Sequence, residues 1–383
     1  MNGTAGSHSP HCCLAVELLT FRTMTDSLDP LLAPLQLGRI SLKNRVVMAP
    51  MTRSRALGNV PNELMATYYA QRAEAGLIVT EGTAPSPNAL GYARIPGLFD
   101  EAQAAGWKKT TDAVHAEGSR IFVQLMHTGR VGHPLNLPKG ARILAPSAVA
   151  APGTMFTDQE GPQPHALPEA MTEAEIEGEI ASFVASAKLA IEAGFDGVEL
   201  HGANGYLIEQ FLNVASNQRT DRWGGSVENR ARFAIETTRR IVEAIGADRT
   251  AIRLSPYGVF GGMTSDPDTD ALYAYLAAEL GKLRIAYVHV VDHAALGAPA
   301  VPAAIKQSVR EAFGGPIILS GGYDGARARA DLTEKKGELV AFGRPFISNP
   351  KLVTKLSKDE ALADADASTF YTPGDKGYTD YSA

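Results

Sequence analysis

An imidazole, a carboxamide and a phenol stand within six residues of one another at His201, Asn204 and Tyr206. Together they offer two hydrogen-bond donors for a substrate oxygen and one proton donor. The two nitrogen donors lie three residues apart, a spacing that one helical turn brings together. Aimed at a carbonyl or nitro oxygen, they would stabilise enolate-like negative charge as it develops there. The phenol would then deliver a proton to a neighbouring carbon. Taken singly, a histidine at a strand end is more often a satisfied structural residue, and a tyrosine there packs under its loop with the hydroxyl on backbone. Three such groups in one short stretch argue for chemistry instead.

These groups need a scaffold, and the flanking sequence supplies one. Gly197-Val-Glu-Leu200 is an apolar run that reads as a buried parallel strand. Further on, Ser226 with Glu228 two residues later reads as the N-cap and acidic first turn of a helix over Val227–Ile245. The polar cluster therefore occupies a strand-to-helix loop. The same alternation runs through the chain. Strands are predicted at Arg45–Ala49, Leu77–Thr80, Ile121–Leu125, Val198–Leu200, Ala251–Leu254, Tyr287–Val291, Pro316–Leu319 and Leu339–Ala341. Helices are predicted over Glu63–Glu74, Ala102–Ala116, Glu173–Glu192, Val227–Ile245, Ala271–Leu283, Pro302–Phe313, a stretch ending near Lys336, and Lys351–Leu356. A Pro-, Gly- and Ala-rich segment, Gly129–Leu167, interrupts the series. Eight strand–helix units predict the α/β class and a single-domain (β/α)₈ TIM barrel. A doubly wound sheet would need G-x-G-x-x-G after the first strand, and none is there.

Barrels of this kind collect their chemistry at the carboxyl ends of the strands. Those ends read Pro50 and Thr52, Gly82, Gln124, His201 with Asn204 and Tyr206, Arg253, Gly321-Gly322, and Gly343-Arg344. Any one of them could merely cap a strand; so dense a polar and glycine-rich set points to a site. Ser320-Gly-Gly-Tyr and Phe342-Gly-Arg-Pro, after the last two strands, suit an anion. Glycines let backbone N–H groups approach it, and Arg344 adds a forked cationic donor. Turn glycines beside a solvated arginine are the plainer alternative.

At this point a resemblance becomes specific. His201-Gly-Ala-Asn-Gly-Tyr-Leu-x-x-Gln-Phe-Leu, followed by Ser216-Asn-Gln-Arg-Thr-Asp-x-x-Gly-Gly-Ser-x-Glu-Asn-Arg-Ala-Arg-Phe233, resembles the Old Yellow Enzyme family of flavin-dependent alkene reductases. Further matches run from about Leu35 to Tyr381. The resemblance implies FMN as cofactor, with NADPH or NADH as reductant in a ping-pong cycle. It implies reduction of the C=C bond of enals, enones, maleimides or nitroalkenes, and extends to nitro compounds and nitrate esters. It assigns the phosphate of FMN to Gly321, Gly322, Gly343 and Arg344. Pro50, Thr52, Gly82, Gln124 and Arg253 would contact the flavin ring, with Arg253 as a fixed cation near its anionic edge. His201 and Asn204 would hold the substrate oxygen and Tyr206 would donate the proton. Tyr92, Met126 and Tyr371 would line the substrate pocket. Two departures bear on substrate range: Met126 stands where the family commonly has Trp, and Gly261 replaces a usual polar side chain.

Composition narrows the alternatives. The 383 residues are 45 % apolar and 20 % charged, which is ample for one large core. A net charge of −6 with no basic run argues against nucleic acid. No apolar stretch approaches a membrane span, and Cys12 and Cys13 form neither a disulfide framework nor a metal cluster. A cytoplasmic monomer or homodimer acting on small molecules is the expectation. Residues 1–30 read as a disordered leader, with Met24 as an internal or true start, and residues 31–383 as the barrel. A flavin-independent lyase or aldolase is disfavoured because no strand-end lysine appears; a non-enzymatic flavin-binding module is the other alternative. His289, Asp292 and His293 read as a strand end carrying an exposed histidine, not as metal ligands.

Overall fold

Alternating side chains explain the architecture. Eight parallel strands form a closed barrel in which each is hydrogen-bonded to the next and the last to the first. They are Val46–Met48, Leu77–Thr83, Arg120–Leu125, Gly197–Gly202, Thr250–Leu254, Tyr287–Val291, Ile317–Ser320 and Leu339–Phe342. Successive residues of a strand point to opposite faces. Val47, Leu77, Val79, Phe122, Ala251, Tyr287, Ile318, Leu339 and Ala341 fill the barrel interior, and an N-terminal hairpin adds Leu37, Ile40 and Leu42 to that cluster. Their neighbours of opposite parity, such as Val46, Ile78, Val123, Leu200, Ile252 and Val288, pack outward against the helices.

The structure, a computed structural model, describes residues 1–3, 6 and 29–382. The expected leader lies almost wholly outside the described residues, as do Cys12, Cys13 and Met24. Among the described residues no helix is long and apolar enough to cross a membrane. Several predicted elements match end to end, including Glu173–Glu192, Val227–Ile245 and Tyr287–Val291. Capping explains the sharp helix starts: Ser226 accepts from Asn229 N–H, and Thr172 with Glu175 forms a reciprocal capping box.

Two elements near the site escaped the sequence reading. The helix Leu207–Leu212 begins directly after Tyr206, so the polar cluster ends on a helix instead of floating in a long loop. Every one of its residues is buried, so it carries no apolar–polar periodicity to detect. The Pro- and Gly-rich insertion also holds a β-hairpin, Thr154–Thr157 with Gly161–Pro164. It alternates Met155 and Thr157 inward with Thr154 and Phe156 outward.

The C-terminal segment is tied to the first strand end. Arg53 donates to the carbonyls of Phe370 and Gly377, and Arg55 to those of Thr369, Phe370, Gly374 and Lys376. Tyr378 stacks on Tyr68 with ring centroids 4.0 Å apart. These contacts set Tyr371 at the barrel mouth.

Candidate active site

Two adjoining cavities open at the carboxyl ends of the strands. The first, about 490 Å³, is lined by Pro50, Thr52, Asn204, Arg253, Gly321, Gly322, Gly343, Arg344 and Tyr371 among others. The second, about 700 Å³, is lined by Thr52, Tyr92, Tyr206 and Tyr371 together with Met155 and Phe156 of the hairpin. Thr52 and Tyr371 belong to both. Gly82, Gln124, Met126 and His201 line neither; they are buried in the barrel end beneath.

The glycine pair is built for close approach. Gly321 has φ +131°, and a Cβ there would lie 2.1 Å from the Asp292 carbonyl oxygen. Gly322 has φ +62°, with the Ala295 methyl 2.3 Å from any added Cβ. Only glycine fits, and the bare backbone faces the first cavity. Arg344 stands exposed on the same wall.

Inward parity brings a polar layer to the cavity floor. Gln124 Nε2 donates to Glu199 Oε1 at 2.8 Å, and His289 Nδ1 lies 2.9 Å from Glu199 Oε2. Burial opposes the charge on Glu199, but His289 and the Arg253 cation outweigh it and hold the carboxyl below its usual range. Burial keeps His289 neutral, so its Nδ1–H donates to the carboxylate. Arg253 pairs with His201 in one neighbouring strand and His289 in the other. Among the described residues it has one long contact, to Ser320 at 3.5 Å, and its buried Nε has no partner. A buried guanidinium with spare donors is a site awaiting an acceptor.

His201 lies at the carboxyl end of the fourth strand, as expected, and Asn204 follows in the loop, not in a helical turn. The chain leaves that strand through a left-handed step, Asn204 at φ +62° and Gly205 at φ +77°. Asparagine tolerates this region better than most residues. A Cβ on Gly205 would meet the Phe260 carbonyl at 2.5 Å, so the loop bearing Gly261 packs directly on this turn. That contact gives Gly261 a backbone reason. Burial and the Arg253 charge push His201 well below its ordinary pKa, and its Nδ1 has no partner among the described residues. The Tyr206 ring stands edge-on to His201, centroids 4.7 Å apart, and its hydroxyl is 2.9 Å from that of Tyr92. Burial raises Tyr206 well above the ordinary tyrosine range and keeps it protonated.

Glu209, unassigned from sequence, holds this turn. Its carboxylate accepts from Gly205 N–H, Ser255 O–H and Tyr273 O–H, while Ser255 Oγ accepts from Asn204 N–H at 3.0 Å. Burial lifts its pKa to about 7 against those three donors. An acid raised in the folded state retains its proton while the unfolded chain ionises, so stability falls as pH rises between the ordinary carboxyl value and about 7. That span is worth on the order of 3 kcal/mol. The melting temperature of Glu209→Gln, relative to the unmodified protein, should therefore climb from pH 5 to pH 7.5. A difference that stays constant with pH would contradict the assignment.

Contrary to expectation, no exposed histidine stands at the end of the sixth strand. His289 is wholly buried, and His293 is only 9 % exposed. Its Nε2 lies 2.6 Å from Asn204 Oδ1, and the Phe260 ring stands against it with centroids 4.6 Å apart.

The fold and mouth thus define a (β/α)₈ barrel whose strand ends gather a glycine turn with no room for side chains, a buried cation and the His201, Asn204 and Tyr206 side chains. The chain belongs to the NADH:flavin oxidoreductase / NADH oxidase family, whose model matches residues 30–363. It is 45 % identical over 364 residues to chanoclavine-I aldehyde reductase of Penicillium roqueforti, covering 92 % of this chain and 96 % of that one. It is 41 % identical over 360 residues to a Leishmania infantum protein named "Probable flavin mononucleotide-dependent alkene reductase", covering 93 % and 98 %. The solved old yellow enzyme homologue from Zymomonas mobilis superposes with a TM-score of 0.89 at 38 % identity, covering 92 % and 99 %.

Proposed function

We propose that the chain is an FMN-dependent alkene reductase driven by a nicotinamide, acting on enals, enones, maleimides and nitroalkenes. The observation that carries the reading is the convergence of the Gly321–Gly322 cradle, Arg253, Asn204 and Tyr206 on two adjoining cavities, with His201 buried against the Tyr206 ring. The family match and the relative named for flavin mononucleotide and alkenes support it.

The residues present fit FMN. The cradle and Arg344 would take the phosphate, while Arg253 Nε, without a partner among the described residues, and the wall of the first cavity at Pro50 and Thr52 suit a polar ring. Glu199 holds the Gln124 Nε2, which leaves the amide oxygen for a ring N–H. When bound, FMN supplies hydride transfer from a nicotinamide to the alkene β-carbon. Neutral His201 and Asn204 hold the substrate oxygen and stabilise its developing charge. Tyr206, kept protonated by burial, gives the proton to the α-carbon.

The test is direct. Purified protein should release one FMN per chain on denaturation and should convert cyclohexenone to the saturated ketone with NADPH. A chain that takes up no flavin would overturn the reading.

Met126 refines the proposal. It is buried in one apolar cluster with Tyr206 and Met155, its sulfur filling the space a Cβ on Gly82 would need. Met is unbranched and flexible, whereas an indole is a rigid wall. Met126→Trp should shift the enantiomeric ratio for a bulky β-substituted enone and slow its turnover, while cyclohexenone changes little. Unchanged rates and ratios on chiral chromatography would show that residue 126 does not shape the pocket.

A further inference from the structure

We infer that His293 is a positioning residue: it holds the carboxamide oxygen of Asn204, so that the amide NH₂ faces the substrate oxygen. This rests on the functional reading above, because it explains how Asn204 comes to act as a donor there. An asparagine amide has an acceptor end and a donor end. Turned over, Asn204 would present its oxygen to the cavity and repel a carbonyl or nitro oxygen. Its partner decides which way it faces. His293 Nε2 lies 2.6 Å from Asn204 Oδ1, and among the described residues this is the only hydrogen bond its ring makes. The neighbouring Asp292 carboxylate does not compete, being occupied by Lys306 and by Ala294 N–H.

The ring itself is held still. Phe260 stands edge-on against it, and both His293 and Asn204 line the first cavity. Burial and the Arg253 charge lower its pKa to about 4, so at neutral pH it carries a single N–H. With that proton on Nε2, the ring donates to Asn204 Oδ1. The backbone of Asn204 is fixed separately, through Ser255 and Glu209. Backbone and amide oxygen are thus both engaged, and the NH₂ remains for the ligand.

The experiment titrates holoenzyme with 4-hydroxybenzaldehyde, a phenol that mimics the enolate, and follows its charge-transfer absorbance. His293→Phe keeps an aromatic ring against Phe260 but removes the N–H, and should weaken binding about tenfold, the scale of one oriented hydrogen bond. His293→Gln restores a donor and should come within about threefold of the unmodified protein. In an Asn204→Ala background, His293→Phe should have no further effect. FMN content should be the same throughout. Full phenol affinity in His293→Phe, or an equal loss in the Asn204→Ala background, would overturn the inference. ¹⁵N chemical shifts of the unmodified protein judge it without any variant: the Nε2–H tautomer is expected, and Nδ1–H would overturn it. Failure to take up FMN would instead overturn the functional reading, and the tautomer would still decide the role of His293.

Discussion

Tyr206→Phe should divide the catalytic cycle in two. Reduction by NADPH should stay within a few-fold of the unmodified protein, because hydride delivery from a nicotinamide uses no phenolic proton. Reoxidation by cyclohexenone should slow by roughly a hundred- to ten-thousand-fold, the usual cost of a lost general acid. The geometry makes the proton specific. Tyr206 lines the second cavity, and its hydroxyl lies 2.9 Å from the Tyr92 hydroxyl, which can pass on a replacement proton. Burial holds both phenols above their ordinary range, so both are protonated at neutral pH. Nitroalkenes should suffer less, since a nitronate can leave and be protonated by water. Phenylalanine preserves the edge-on contact with His201. Equal losses in both half-reactions, measured by stopped flow, would therefore assign Tyr206 a packing role.

Replacing His201 and Asn204 together with alanine should abolish phenol binding. A phenolate copies the developing enolate, and the double variant leaves it neither donor. Each single variant should lower enone turnover by roughly a hundred-fold or more, the range seen when one oxyanion donor is removed. The effect should be confined to the oxygen end of the site. The glycine cradle follows the seventh strand and shares no hydrogen bond with His201 or Asn204, so FMN content should be retained. A charge-transfer band surviving in the double variant would contradict the assignment.

These residues were legible because they are contiguous, and the barrel because short, mainly apolar strands alternate with helices along the chain. What the sequence concealed are partnerships between distant strands. Asn204 and His293 are 89 residues apart, and Glu199 and His289 are 90 apart. Neither pair leaves a local pattern. A signal for part of this was present in the parity of the strands. Once Gln124, His201 and Arg253 are taken as inward-facing, Glu199 and His289 must face inward too, since neighbouring registers pair Glu199 with Gln124 and Arg253 with His289. The expectation of an exposed histidine after the sixth strand failed for a related reason: Phe260, from the loop after the fifth strand, covers it. The spacing of His201 and Asn204 suits a helical turn, but spacing alone does not distinguish that from a strand end followed by a left-handed step. The Thr154–Pro164 hairpin was hidden by its composition. Proline and glycine read as loop, although here they bracket alternating residues that wall the second cavity.

On the proposed reading, this barrel passes hydride equivalents from a nicotinamide to an activated alkene through a bound flavin. An anaerobic titration tests it most directly. The purified protein should show the visible absorption of an oxidised flavin; one equivalent of NADPH should bleach it, and one equivalent of cyclohexenone should restore it, yielding cyclohexanone. A colourless protein, or one that NADPH bleaches and that only air restores, would contradict the account.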